Sequence, residues 1–328
     1  MIAALPGVTG NFVTLGDGAS LHGLVIQDLV RPASVGGAVV AVTSRQPNDS
    51  VSAQVAECEI INPNPVGSTP AGPTGRGLMA ITRNGVGGAA PHEQSLVSVH
   101  LTQSIIHSPG GGDGVFTINF ASGSQIELHL RRNVIGKLIV SGGVSRPNST
   151  VGTTTLIQSS GNLYRSDNST PNSIGWQLQA GSDAPMLAPL IAEATLNNKV
   201  SMHSVDDQIE GFVRAIVATG AQRMSAAAGA IASNEMELTL EGTRLTSTVM
   251  DFQLFGARNL AGPADGNELR VTMHNVIGSG LRTNTYLDMS GNLGVGNRLL
   301  FTGSLRAFSR TNDAISPLPG AQFFTAGR

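Results

Sequence analysis

The chain has 328 residues, 40% of them hydrophobic, enough to bury a large core, and its formal net charge is -2. Only 13% of residues are charged and 41 are glycine, which argues against a helical bundle and for many short strands joined by turns. There is no Lys/Arg run to form a footprint for nucleic acid, no apolar run of the roughly 18 residues that a membrane helix needs, and a single cysteine excludes an internal disulfide.

Met1 to Pro6 is apolar but lacks a basic start and is too short for a secretory signal. From Phe12 the chain enters a repeating phrase, clearest at Glu127-Leu128-His129-Leu130-Arg131-Arg132-Asn133-Val134-Ile135. Leu128 and Leu130 alternate with polar residues at the strand period; a small polar residue and an aliphatic one follow, three and five places beyond Leu130. The first copy is Leu21, Leu24 and Ile26, in a coil running from about Thr14 to Val40. Next come Val55, Cys58 and Ile60, then Leu101, Ser104 and Ile106. Beyond Ile135, Leu196 to Val200 and Leu240, Thr243 and Leu245 keep the spacing. The segments Ile157 to Leu163, Met273 to Ile277 and Leu300 to Leu305 fit with a slip of about one residue.

Ile106 and Ile135 lie 29 residues apart, whereas Ile60 and Ile106 are separated by 46. A minimum near that lower figure with variable excess describes a coil of constant cross-section carrying loops of different length. A second, glycine-bounded strand phrase follows most copies, as in Gly114 to Phe120, Lys137 to Val140, Gly175 to Leu178 and Gly211 to Val217. The Pro- and Gly-rich stretch 62–75 is expected to be irregular and to project. A second projection is expected at 84–94, so that the two overhang the face that carries His100 and His129. Ser182 to Leu196 and Gly220 to Ser233 are read as short helical pieces, and Phe323-Phe324 as folding back over the open core.

The recurring aliphatic, small polar and aliphatic positions, with glycine-bounded strands between them, resemble the pectin-lyase-like superfamily. The resemblance covers about Asn11 to Arg310 and implies an all-β, single-stranded right-handed parallel β-helix of about nine coils in one domain, residues 1–328. Stacked coils rise by about 4.8 Å, so small polar residues at equivalent turn positions can hydrogen-bond upward. Cys58, Ser104, Asn133, Ser160, Asn198 and Thr243 are the expected interior ladder.

Outward positions then form columns. The residue before the Leu130 position is Gln54, His100, His129 and Thr239 in the clear copies, which makes His100 and His129 stacked neighbours; the residue after it is Ala56, Thr102, Arg131 and Glu241. Glu127 shares the face, with Glu57, Glu59, Arg132 and Lys137 at the nearby turn. The resemblance implies a secreted, periplasmic or cell-surface protein that binds or cleaves polysaccharide. In a lyase, His129 or His100 would remove a proton beside a uronate carboxylate and Arg131 or Ca²⁺ would neutralise the charge that develops. Glu127, Arg132 and Lys137 would bind the glycan. The Arg-x-Pro-x-x-Arg phrase of pectate lyases is not completed at Arg146-Pro147 or at Arg45-Gln46-Pro47. The competing expectation is a non-catalytic solenoid, an adhesin or structural module.

Overall fold

In the alternating segments every second residue is aliphatic, and these residues form strands whose inward side chains are fully buried. In Gln125–Arg131 the buried residues are Ile126, Leu128 and Leu130, while Gln125, Glu127, His129 and Arg131 face outward. The computed structural model describes residues 1–3, 10–29, 37–64, 67–69, 72–83, 92–144, 149–166, 173–182, 193–223, 229–247, 250–259, 264–278, 296–306 and 322–326. Among them the regular structure is all β, and the large sheets are parallel throughout. The segment 183–192, at the centre of one expected helical piece, lies outside the described residues. The other is corrected in part, since Arg214–Arg223 is a single strand and Ile231–Ala232 another.

The repeat is plainest from Gln125 onward. A long strand, Gln125–Arg131, turns a corner into a short one, Val134–Ile135, and Leu138–Val144 then joins an eight-stranded sheet on the opposite side of the core. After a loop, Thr150–Val151 leads into the next long strand, Thr154–Ser160, which pairs in register with Gln125–Arg131 over seven residues. Preceding and following repeats do the same: Leu96–Thr102 lies on Ser50–Ala56, and Lys199–Val205 on Thr154–Ser160. This connectivity is compatible with the solenoid expected from the sequence.

Two corners of most repeats share one solution. A residue with positive φ makes the bend, and a small buried polar residue follows it. At the corner after the long strands the bend falls on Glu57, Gln103, Arg132, Gly161, Asp206 and Gly242, with φ between 48° and 61°. The buried residues behind them are Cys58, Ser104, Asn133, Asn162, Asp207 and Thr243. Donation runs one way. Ser104 N donates to Asn133 Oδ1 at 2.9 Å, Asn133 N and Nδ2 both donate to Asn162 Oδ1 at 2.9 Å, and Asn162 N and Nδ2 donate to Asp207 Oδ1 at 2.7 and 3.0 Å. At the corner before the long strands a second ladder runs through Thr153, Asn198, Asn234, Asn267 and Asn297.

These ladders correct two expectations. Ser160 is the outward end of its strand, and the rung is Asn162; Asn198 is a rung, but of the other ladder. In this repeat Ser159 and Tyr164 replace the usual aliphatic pair, joined by a 2.8 Å hydrogen bond between their hydroxyls. Tyr164 meets Trp176 edge-on at 5.0 Å, and both rings are fully buried. At the far end, Gln322–Ala326 pairs in parallel with Arg298–Arg306, and the side chains of Phe323 and Phe324 lie outside those described.

Asp207 is fully buried, with Ser204 Oγ donating to its Oδ2 at 2.7 Å. Burial raises its pKa above the ordinary aspartate value, against the hydrogen bonds from Ser159, Ser204 and Asn162 that favour the anion. A raised folded-state pKa means that the carboxyl's contribution is fully present below the unfolded pKa and is lost as pH rises through the folded one. Asp207→Asn keeps the acceptor oxygen and removes the titration. Its melting temperature should exceed that of the wild type by a few degrees at neutral pH, and the gain should vanish in acid, read by thermal denaturation across a pH series.

The second ladder needs space that only glycine leaves. A Cβ on Gly181 would lie 2.5 Å from Asn234 Cγ, an amide held by Asn267 Oδ1 and Thr195 O. Gly181→Ala should therefore destabilise the fold by about 1–3 kcal/mol in chemical denaturation.

Candidate functional site

Because the long strands pair without a register shift from Ser50–Ala56 to Glu235–Glu241, their outward residues form straight columns. One column runs Ser20, Gln54, His100, His129, Gln158, His203, Thr239, Thr272 and Thr302. Every member carries a hydrogen-bonding side chain. His100 and His129 are paired as the sequence predicts, with ring centroids 4.3 Å apart and planes 4° from parallel.

His129 Nδ1 lies 3.1 Å from Gln158 Oε1, so the ring donates from Nδ1 and turns Nε2 toward Glu127 Oε2, 3.9 Å away. Gln125 Nε2 donates to the other oxygen of Glu127 at 2.5 Å. Burial lowers the His100 pKa below the ordinary histidine value; the neighbouring His129 pushes the same way and Glu127 opposes them. The shift favours the neutral imidazole, the form able to accept a proton.

Arg131 continues this face between Thr102 and Ser160, two residues beyond His129, and its side chain is exposed. Arg132 is the exposed, positive-φ residue at the bend. Glu57 makes the bend of an earlier repeat and Glu59 opens the short strand that follows it, each 3.6 Å from a histidine, His22 and His107 respectively.

Lys137 stands elsewhere. It opens the strand into the eight-stranded sheet, where its Nζ lies 3.2 Å from Asp113 Oδ1. Asp113 is fully buried, and its other oxygen is 2.9 Å from Nε of Arg76, whose guanidinium lies 4.1 Å over the Phe116 ring. Two cations share one buried carboxylate there, away from the histidine column.

One loop is more regular than expected. Within 62–75, Gly67–Thr69 and Gly72–Thr74 form an antiparallel pair, and Asn62 and Asn64 are buried beside Gly110 and Gly112. Residues 84–91 lie outside the described residues. His92 and Gln94 make their contacts at the corner before the long strands, with Ser44, Arg83 and Ser122. Asn62, Asn64, His92 and Gln94 thus meet corners of the repeats. Among the described residues no group of three or more His, Cys, Asp or Glu is placed to hold a metal ion.

Between His129 and Thr239, Gln158 and His203 are the members of the column that sequence reasoning missed; it also left out Ser20, Thr272 and Thr302. Aligning Ser159, Asn162 and Tyr164 with Leu130, Asn133 and Ile135 puts Gln158 beside His129 and His203 beyond it. The available signal was Asn162 itself.

The His100 shift has a direct check by NMR. The titration midpoint of its ring should lie below that of an unperturbed histidine and move upward in His129→Asn, and Glu127→Gln should move it further down.

No protein-family model matches the chain, no curated protein matches it, and no solved structure matches it.

Proposed function

We propose that the chain is a right-handed parallel β-helix of about nine coils, similar to the pectin-lyase-like superfamily, and that it is a secreted or cell-surface module that binds polysaccharide. The observation that carries this reading is the unbroken column of polar side chains from Ser20 to Thr302 on the long-strand face. At about 4.8 Å per rung the column offers a hydrogen-bonding track of about 40 Å along the axis. A linear polymer with hydroxyls at regular intervals matches such a track, and Arg131 and Arg132 beside it favour a glycan carrying carboxylates or sulfates.

A second reading, β-elimination, is favoured by one observation: the stacked imidazoles of His100 and His129 stand on the same face as Arg131. A neutral imidazole can take the proton and a guanidinium can offset the charge that develops.

One experiment separates them. The protein is run in affinity electrophoresis through gels containing neutral, uronate-rich or sulfated glycans, and the same glycans are monitored for unsaturated uronate absorbance with and without Ca²⁺. Binding without turnover is expected, with the His129→Ala, Gln158→Ala double variant losing about tenfold in affinity. Unsaturated product that disappears in His129→Ala would establish the lyase. Free migration through every gel would leave the chain a structural solenoid.

A further inference from the structure

Carboxylates are not shared evenly among the histidines. Three of the rings each have one of their own: His22 Nε2 lies 3.6 Å from Glu57 Oε2, His107 Nε2 lies 3.6 Å from Glu59 Oε1, and His203 Nε2 lies 3.1 Å from Glu241 Oε1. The stacked pair differs. His100 and His129, with centroids 4.3 Å apart, share the single carboxylate of Glu127, and Arg131 stands on the same strand. The strands packed on either side, Ser50–Ala56 and Thr154–Ser160, contain no titratable residue. At the bends that follow, Glu57 is paired with His22 and Arg132 adds a second cation.

Acid therefore acts differently at the two kinds of place. At His22, His107 and His203 a proton completes an ion pair and leaves the pair neutral. At the stacked rings two protons set two charges against one carboxylate, beside Arg131, so positive charge accumulates there. Glu127 Oε2 stands 3.9 Å from His129 Nε2, too far for a hydrogen bond, and so leaves room for a better acceptor. Charge-assisted N–H···O bonds are about 2.7–2.9 Å long, so donors on rings 4.3 Å apart are close enough for the oxygens of one carboxylate or sulfate to accept from both. Without such an anion the second proton is opposed by the first, as the effect of His129 on His100 shows. An anion held across the two rings removes that opposition. Anion binding and proton uptake are then coupled, and each strengthens the other.

We propose that His100 and His129 together form an oxyanion subsite that takes one carboxylate or sulfate of a polysaccharide once the imidazoles are protonated, so that the face holds acidic glycans in mildly acidic surroundings and releases them as the pH rises. The proposal rests on the polysaccharide reading and adds to it the charge of the ligand and the condition under which it is held. The uncharged members of the column, Gln54 and Gln158 on either side, align the polymer at any pH; the imidazole pair reads its charge.

Dextran sulfate and neutral dextran are the probes, because sulfate esters keep their charge across the range and any pH dependence seen with them belongs to the protein. Retardation in gels containing dextran sulfate, measured against polymer-free gels at constant ionic strength, should correspond to about tenfold tighter binding at about pH 5 than at about pH 8. The His100→Gln, His129→Gln double variant should lose most of that gain. A His22→Gln, His107→Gln variant, which removes the same number of histidines elsewhere, should keep it, with thermal denaturation checking that both variants are folded. In the wild type, NMR titration midpoints of the His100 and His129 rings should rise in the presence of dextran sulfate and stay in place with neutral dextran. Retention that is equal at both pH values, or an acid gain that survives loss of the pair, would overturn the subsite and leave the polysaccharide reading standing. Free migration through dextran sulfate at every pH, with unmoved ring titrations, overturns the subsite as well; the polysaccharide reading falls with it only if neutral and uronate-rich gels also leave the protein free.

Discussion

The structure depends on how two corners of each repeat dispose of one main-chain N–H. At a corner the sheet is interrupted and the amide of the residue after the bend has no strand partner, yet it is buried, where an orphan donor costs about 1–3 kcal/mol. The oxygen of the next rung accepts it, as Asn133 Oδ1 accepts Ser104 N and Asn162 Oδ1 accepts Asn133 N. Each rung must therefore be short and carry an acceptor. An Asn rung goes further by donating its own amide hydrogen to the same acceptor, which locks its rotamer. The relay of side-chain amide donation ends at Asp207, whose carboxyl accepts from Asn162 and has no N–H to pass on. At the register position after Thr243 the ladder gives way to Val276, which is fully buried.

Two such corners in a repeat hold the strand between them in register. That is why the long strands stack over seven residues without slipping and why outward side chains fall into columns rather than patches. The chemistry of the face follows from the ladder: His100 and His129 are stacked because Ser104 and Asn133 are bonded a few residues further on. The same register puts Lys137 on another side of the molecule, because the chain passes a second bend at Gly136 before the lysine meets Asp113.

Alternation and the small polar rung were legible because each comes from a single local requirement, burial in one case and hydrogen bonding in the other. Leu130, Asn133 and Ile135, like Val55, Cys58 and Ile60, sit where the pattern put them. The phase failed where the two corners look alike. Leu196-Asn197-Asn198-Lys199-Val200 has a positive-φ residue, a polar rung and an aliphatic, as the other corner does, and the corner to which it belongs is set by its partners Thr153 and Asn234 in distant sequence. Ser159 and Tyr164 hid a second copy, because a mutually bonded hydroxyl pair occupies positions that are aliphatic elsewhere. The partner of Lys137 was equally out of reach, since Asp113 lies in a different repeat.

The arrangement of the histidine face bears on what chemistry it can support. A general base acts on a proton only when the substrate is held within hydrogen-bond reach by groups that fix its position in three dimensions. His100, His129, Gln158, Glu127 and Arg131 all rise from one sheet and point to one side, so together they define a line and a plane. A line and a plane are sufficient to align an extended polymer, whose own length supplies the remaining constraint through repeated contacts along the column. Fixing a single sugar against rotation about that line requires a group approaching from off the sheet, and the corners are where the chain could supply one. Under the proposed polysaccharide reading, the register of the ladders would act first on the orientation of a long ligand, and any catalytic power would have to be added from the loops that leave those corners.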